Sequence, residues 1–115
     1  MADKLLVNRL NKRVTIQRLE KAPDEYGQPI DIWVDVATVW AAIEPLRGRE
    51  YFAAMSEHAE VTTRIRIRYR EDIDRTMIVR YKEPGDPEFR EFEILHIIHP
   101  EFLRRELQLM CKERQ

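Results

Sequence analysis

With 115 residues and a formal net charge of −1, the chain has the size of one small folding unit and lacks the positive field of a dedicated nucleic-acid binder. Charged residues make up 36% of it, so strand faces and loops must carry both signs densely, which suits polar contacts with other proteins. The single cysteine, Cys111, excludes an internal disulfide; no apolar run approaches the roughly 20 residues of a membrane-crossing helix, and residues 1–10 lack the stretch of a secretory signal, so a soluble protein with no membrane partner is expected.

Residues 1–11, with Leu5, Leu6, Val7 and Leu10 behind Asp3, read either as a turn or two of helix or as a loose N-terminal arm. Val14 and Ile16 alternate with Thr15 and Gln17 and predict a first strand ending near Glu20. Residues 21–31 hold Pro23, Gly27 and Pro29 and predict a loop. Residues 32–46 predict a long strand with Trp33, Ala37, Val39, Ala41 and Ile43 among its apolar positions, and Pro45 should mark its edge or end. Residues 49–59 contain Ala53, Ala54, Met55 and Glu57, with Tyr51, Met55 and His58 at helical spacing, and predict one short helix.

Residues 61–70 read VTTRIRIRYR. Val61, Thr63, Ile65, Ile67 and Tyr69 point one way and Thr62, Arg64, Arg66, Arg68 and Arg70 the other, the pattern of a half-buried antiparallel strand. A turn at residues 71–75 follows. Strands at 77–82 and 89–98 then flank the hairpin loop Glu83-Pro84-Gly85-Asp86-Pro87, and residues 103–112 close the chain with Leu103, Leu107, Leu109 and Cys111 on one face. The predicted fold is all-β: one domain over residues 1–115, a small antiparallel barrel or sandwich of about six strands, with the short helix inserted between the second and third.

Arg64, Arg66, Arg68 and Arg70 recur about every 6.7 Å along one face and require counter-charges. Cross-strand carboxylates such as Glu91, Glu93 or Glu106, an electronegative partner protein, and a DNA backbone are the three candidates. The face is therefore a candidate salt-bridge or protein-interface surface. His96 and His99 lie three apart, which on a strand sends them to opposite faces, so no metal site is expected. There is no glycine-rich phosphate loop, no nucleophile elbow and no cysteine with a positioned histidine. Glu71 and Asp72 are adjacent and splay apart, and Glu91 with Glu93 shares a face as on any solvated strand. Neither enzymatic activity nor a cofactor is expected. Trp33 and Trp40, seven apart on one strand, should face opposite sides and leave one of them at an interface.

Four segments carry a family resemblance in order: RLNKRVTIQR from Arg9, VWAAIEPLRGRE from Val39, IRYREDI from Ile67 and FEILHI from Phe92. Together they resemble the tailed-bacteriophage head–tail joining proteins, the head-closure or stopper proteins of virions and prophages, over nearly the whole chain. The resemblance implies a structural virion protein of the neck, assembled in the bacterial host cytoplasm. It implies a homo-oligomeric ring of twelvefold order beneath the portal or its adaptor, closing the filled head, touching packaged DNA transiently and presenting a surface for a tail-completion or tail-tube protein. The isolated chain is then expected to be monomeric or weakly associated.

The segment between the second and third strands, residues 47–60, has two readings. It is either a helix plugging one end of the barrel through Tyr51 and Met55 or, as the resemblance implies, a channel-facing segment that holds DNA in, with Gly48 as a hinge. Arg47, Gly48, Arg49, Glu50 and Tyr51 are its candidate gating residues. The alternative for the whole chain is a small β-barrel that binds single-stranded nucleic acid. It needs aromatics among basic residues on an outer face, and the arginine face of residues 61–70 has none because Tyr69 falls on the apolar side.

Overall fold

The structure is a computed structural model that describes residues 10–48, 60–100 and 104–114. Among the described residues six strands run in chain order: β1 (Lys12–Pro23), β2 (Pro29–Pro45), β3 (Thr63–Arg68), β4 (Ile78–Tyr81), β5 (Arg90–Ile98) and β6 (Glu106–Glu113). Every pairing is antiparallel, and the order β1-β2-β3-β6-β5-β4 closes on itself when Val14 to Gln17 pair with β4. Closure into a barrel removes the open edges that a sandwich of this size would keep. The predicted short helix falls on residues 49–59, outside the described residues.

Alternation fills the barrel. Val14 and Ile16 of β1, Ile65 and Ile67 of β3, Val79 of β4, Phe92 and Ile94 of β5, and Leu107, Leu109 and Cys111 of β6 meet in one buried cluster. The opposite faces carry ion pairs across the same ladders, among them Arg80 with Glu91 and Arg90 with Glu113.

β1 and β2 outgrow the barrel. β4 covers β1 only up to Gln17, and β3 covers β2 only from Ala41 to Pro45. Beyond those points the two strands pair, among the described residues, only with each other, in a ladder that runs to Pro23 opposite Pro29. The predicted loop at residues 21–31 is therefore corrected to a turn at 24–28, with strand on either side. The prolines do not break the ladder because they form its last pair, where a missing N–H costs nothing. Asp24 closes the turn: its Oδ1 accepts the N–H groups of Tyr26 and Gln28, both at 2.8 Å, and Gly27 supplies the left-handed φ of 78°.

The arm contains a β-bulge. Ile16 pairs with Ala37 but Gln17 pairs with Asp35, so β2 has one extra residue at Val36. The extra residue reverses the face of everything beyond it. Trp40 opposes Arg13 and Trp33 opposes Leu19, both on the odd-numbered outer face of β1. The tryptophans thus share one face instead of lying on opposite ones, and both are exposed.

Candidate functional site

The barrel has two poles. At one, β2 ends at Pro45 and β3 begins at Thr63, so the insertion of residues 47–60 leaves and returns there. Its base is clamped: Leu46 donates its N–H to the Thr62 carbonyl at 3.0 Å, and Thr62 donates to the Cys111 carbonyl at 2.9 Å. Leu46 and Val61 pack together against Met110 and Leu95 on the outside of β5 and β6. Of the candidate gating residues, Arg47 is exposed and Gly48 adopts a φ of 55° with open space where a side chain would sit. A residue with a Cβ would be strained at that backbone angle. Arg49, Glu50 and Tyr51 lie outside the described residues.

The arginines of β3 divide. Arg64 bonds Glu44 at 2.9 Å, while Arg66 donates from Nε to Glu106 and lies 3.6 Å from Glu44, so two strands bring carboxylates to one two-arginine cluster. The hydrogen bond to Glu106 raises the Arg66 pKa above its ordinary value. Arg70 forms a two-pronged pair with Asp72, whose pKa that contact lowers. Arg68 is exposed and makes no ion pair with any described residue. Glu91 and Glu93 face other cations: Glu91 meets Arg80 and Arg114, and Glu93 meets Arg114.

At the other pole the hairpin arm projects. Among the described residues, six of the eight large exposed hydrophobic side chains lie on it: Leu19, Tyr26, Ile30, Ile32, Trp33 and Trp40. That clustering marks a contact surface, since scattered exposed apolar residues would carry no meaning. The arm is also acidic. Residues 18–35 set Arg18 and Lys21 against Glu20, Asp24, Glu25, Asp31 and Asp35, an excess of three negative charges.

Where the arm meets the barrel, β3 stops and β2 continues, which opens a groove of about 360 Å³ lined by Arg13, Thr38, Val39, Trp40, Arg68, Tyr69 and Arg70. The Arg13 guanidinium lies over the Trp40 ring at 5.0 Å. No spacing within the sequence brings this set together. Taken on its own strand, the arginine face has no aromatic neighbour; the register supplies one, because Trp40 and Arg68 are the next positions beyond the Ala41–Ile67 pair.

His99 meets Tyr69 edge to face, with ring centroids 6.2 Å apart. Among the described residues no group of three or more His, Cys, Asp and Glu side chains could hold a metal ion. Burial among β-strand side chains drives the Cys111 thiol pKa far above its ordinary range.

A closed barrel with the clamped base of an insertion at one pole and an apolar, acidic arm at the other defines a protein built for contact with other macromolecules. The model of the phage head completion protein family matches residues 5–114, and the chain belongs to that family. Head completion protein gp7 of Enterobacteria phage HK97 is 27% identical over 107 residues, which span 90% of this chain and 92% of its own. The solution structure of protein SF1141 from Shigella flexneri 2a superposes with a TM-score of 0.70 at 29% identity, covering 93% of this chain and 95% of that one. The family gives the chain a structural role in completing the phage head, as a virion component that acts together with other phage structural proteins.

Proposed function

We propose that the protein forms a ring in the phage neck beneath the portal or its adaptor, closes the DNA-filled head and presents the surface to which the tail attaches. The observation that carries this reading is the two-pole design. A ring requires two different patches of one subunit to meet on its neighbours. Here an arm and a groove lie at the two ends of one hairpin, and at the opposite pole of the barrel Leu46 and Thr62 clamp the base from which residues 47–60 leave and return. In this reading residues 47–60 act on the packaged DNA, and the hydrogen bonds at Leu46 and Thr62 fix the two ends of the segment to the barrel. The test replaces Arg47, Arg49 and Glu50 together with alanine. The melting temperature should be unchanged while heads complemented with the variant lose DNA; full retention would leave the insertion as a plug.

The groove gives the nucleic-acid reading a specific observation in its favour, because Trp40 and Tyr69 stand among arginines. Against it stands the net charge of −1. Fluorescence anisotropy with single- and double-stranded DNA across a salt series should show nothing tighter than about 10⁻⁵ M near physiological salt. Submicromolar binding with a steep salt slope, lost in Arg68→Glu, would promote that reading.

A further inference from the structure

We propose that the tip of the β1–β2 hairpin docks into the arginine–aromatic groove of a second copy of this chain, and that this contact joins subunits of the ring. The inference rests on the ring reading and names the contact that builds it. Three observations lead there. The first is charge: the turn at residues 24–28 carries Asp24 and Glu25 with no cation, and the groove presents Arg13 and Arg68, neither paired with a carboxylate of the described residues. The second is chemistry. Tyr26 is 82% exposed at the extreme of the tip, and the groove offers Trp40 and Tyr69 with a guanidinium already lying over one ring. An aromatic side chain flanked by carboxylates fits a site made of arginines and aromatics.

The third observation is distance. The ladder between β1 and β2 runs, through the bulge at Val36, from the groove to the tip, and the ten residues of β2 from Thr38 back to Pro29 span about 30 Å. A tip held that far out cannot reach the groove of its own chain, so an occupied groove joins two copies. Tip and groove are different patches, so the contact is heterologous and propagates into a ring or a filament instead of closing a two-fold dimer. A contact confined to a hairpin tip is small and should be weak between free chains. On a platform that already arrays the subunits, simultaneous engagement of every tip raises its effective strength.

The decisive experiment mixes two charge reversals. Sedimentation velocity of the full chain from about 10 to about 500 µM should show association that grows with concentration. Glu25→Arg alone places a cation at the tip against the cationic groove, and Arg68→Glu alone places an anion in the groove against the acidic tip; each should weaken association at least tenfold. An equimolar mixture of the two variants restores both complementary contacts and should recover it. Misfolding cannot be rescued by mixing, and circular dichroism of each variant checks it separately. A wild type that stays monomeric throughout, single variants that associate normally, or a mixture that does not recover would each overturn the proposal. So would tight binding of an oligothymidine to the groove, lost in Arg68→Glu, by a wild-type chain that remains monomeric. The head-closure reading falls by a different result: phage heads that retain their DNA when the gene is deleted.

Discussion

Alternate arginines on one strand face should differ sharply in what they contribute, and Arg66 against Arg68 is the cleanest comparison. Arg66 is enclosed, with a side chain 16% exposed, and its partner Glu106 is 15% exposed. Among the described residues, Arg66→Ala would leave Glu106 with Gln108 at 3.3 Å as a side-chain donor, while Glu44 keeps Arg64. Losing one partner of a buried pair costs about 3–5 kcal/mol, and a charged hydrogen bond in a less enclosed site about 1.5–3. The surviving donor and partial exposure put this case at about 2 kcal/mol, which in a chain of this size lowers the melting temperature by about 8 °C. Arg68→Ala, at an exposed position without an ion pair to a described residue, should stay within about 0.5 kcal/mol. Urea denaturation of Arg66→Ala, Glu106→Ala and the double variant supplies the coupling energy directly. If Arg66→Ala proves as mild as Arg68→Ala, the pair is screened by water, and the outer face of β3 is uniformly solvated.

Among the described residues Phe92 is the largest side chain with no exposure, so Phe92→Ala should cost about 3–5 kcal/mol by chemical denaturation, whereas Ile65→Val should cost about 0.5–1.5. Cys111 should resist thiol reagents in the native protein and react in step with unfolding, because its side chain is enclosed and its thiol is held protonated; rapid labelling without denaturant would show that β6 opens locally. The hydrogen bond from Arg90 lowers the pKa of Glu113 below its ordinary 4.5, and a carboxylate depressed on folding contributes stability above that value and loses it as pH falls through the folded pKa. Melting temperature should therefore decline below about pH 4.5, and part of the decline should vanish in Glu113→Gln; a pH profile unaltered by that substitution would remove the pair from the account.

The closed body of the fold was legible wherever local pattern and long-range pairing agree. Ile65 and Ile67 alternate with arginines because one face of β3 is sealed in the barrel and the other lies on charged ladders, and Pro45 ends β2 where it was read to end. The arm was not legible in the same way, because Pro23, Gly27 and Pro29 are turn signals whose local meaning is a loop; only their symmetric placement about Tyr26, with proline opposite proline, makes them the end of a ladder. The groove was out of reach altogether, since Arg13 and Arg68 are brought to Trp40 from two strands by register and by no spacing in the chain.

The bulge did leave a trace. Along β2 the apolar positions are odd from Ala37 to Ile43 and even from Ile30 to Val36, a change of phase that a single period-two reading smooths over. Continued without interruption, the odd phase would have carried Asp31, Trp33 and Asp35 onto the line of the barrel core. The extra residue at Val36 moves them to the outer face, where Lys21 pairs with Asp31 and Gln17 with Asp35, and it brings Ile30, Ile32 and Val34 onto the core-facing line instead. Val36 itself still packs on the core, but Ile30 and Ile32 lie past the point where β3 and β4 have ended, and they are exposed. A stripe patterned for burial thus runs out beyond the barrel that would have buried it. The same bulge places Trp33 and Trp40 together on the reverse side, so both faces of the arm are apolar and acidic at once. Such an arm leaves apolar surface in water, a cost that a partner covering it would relieve.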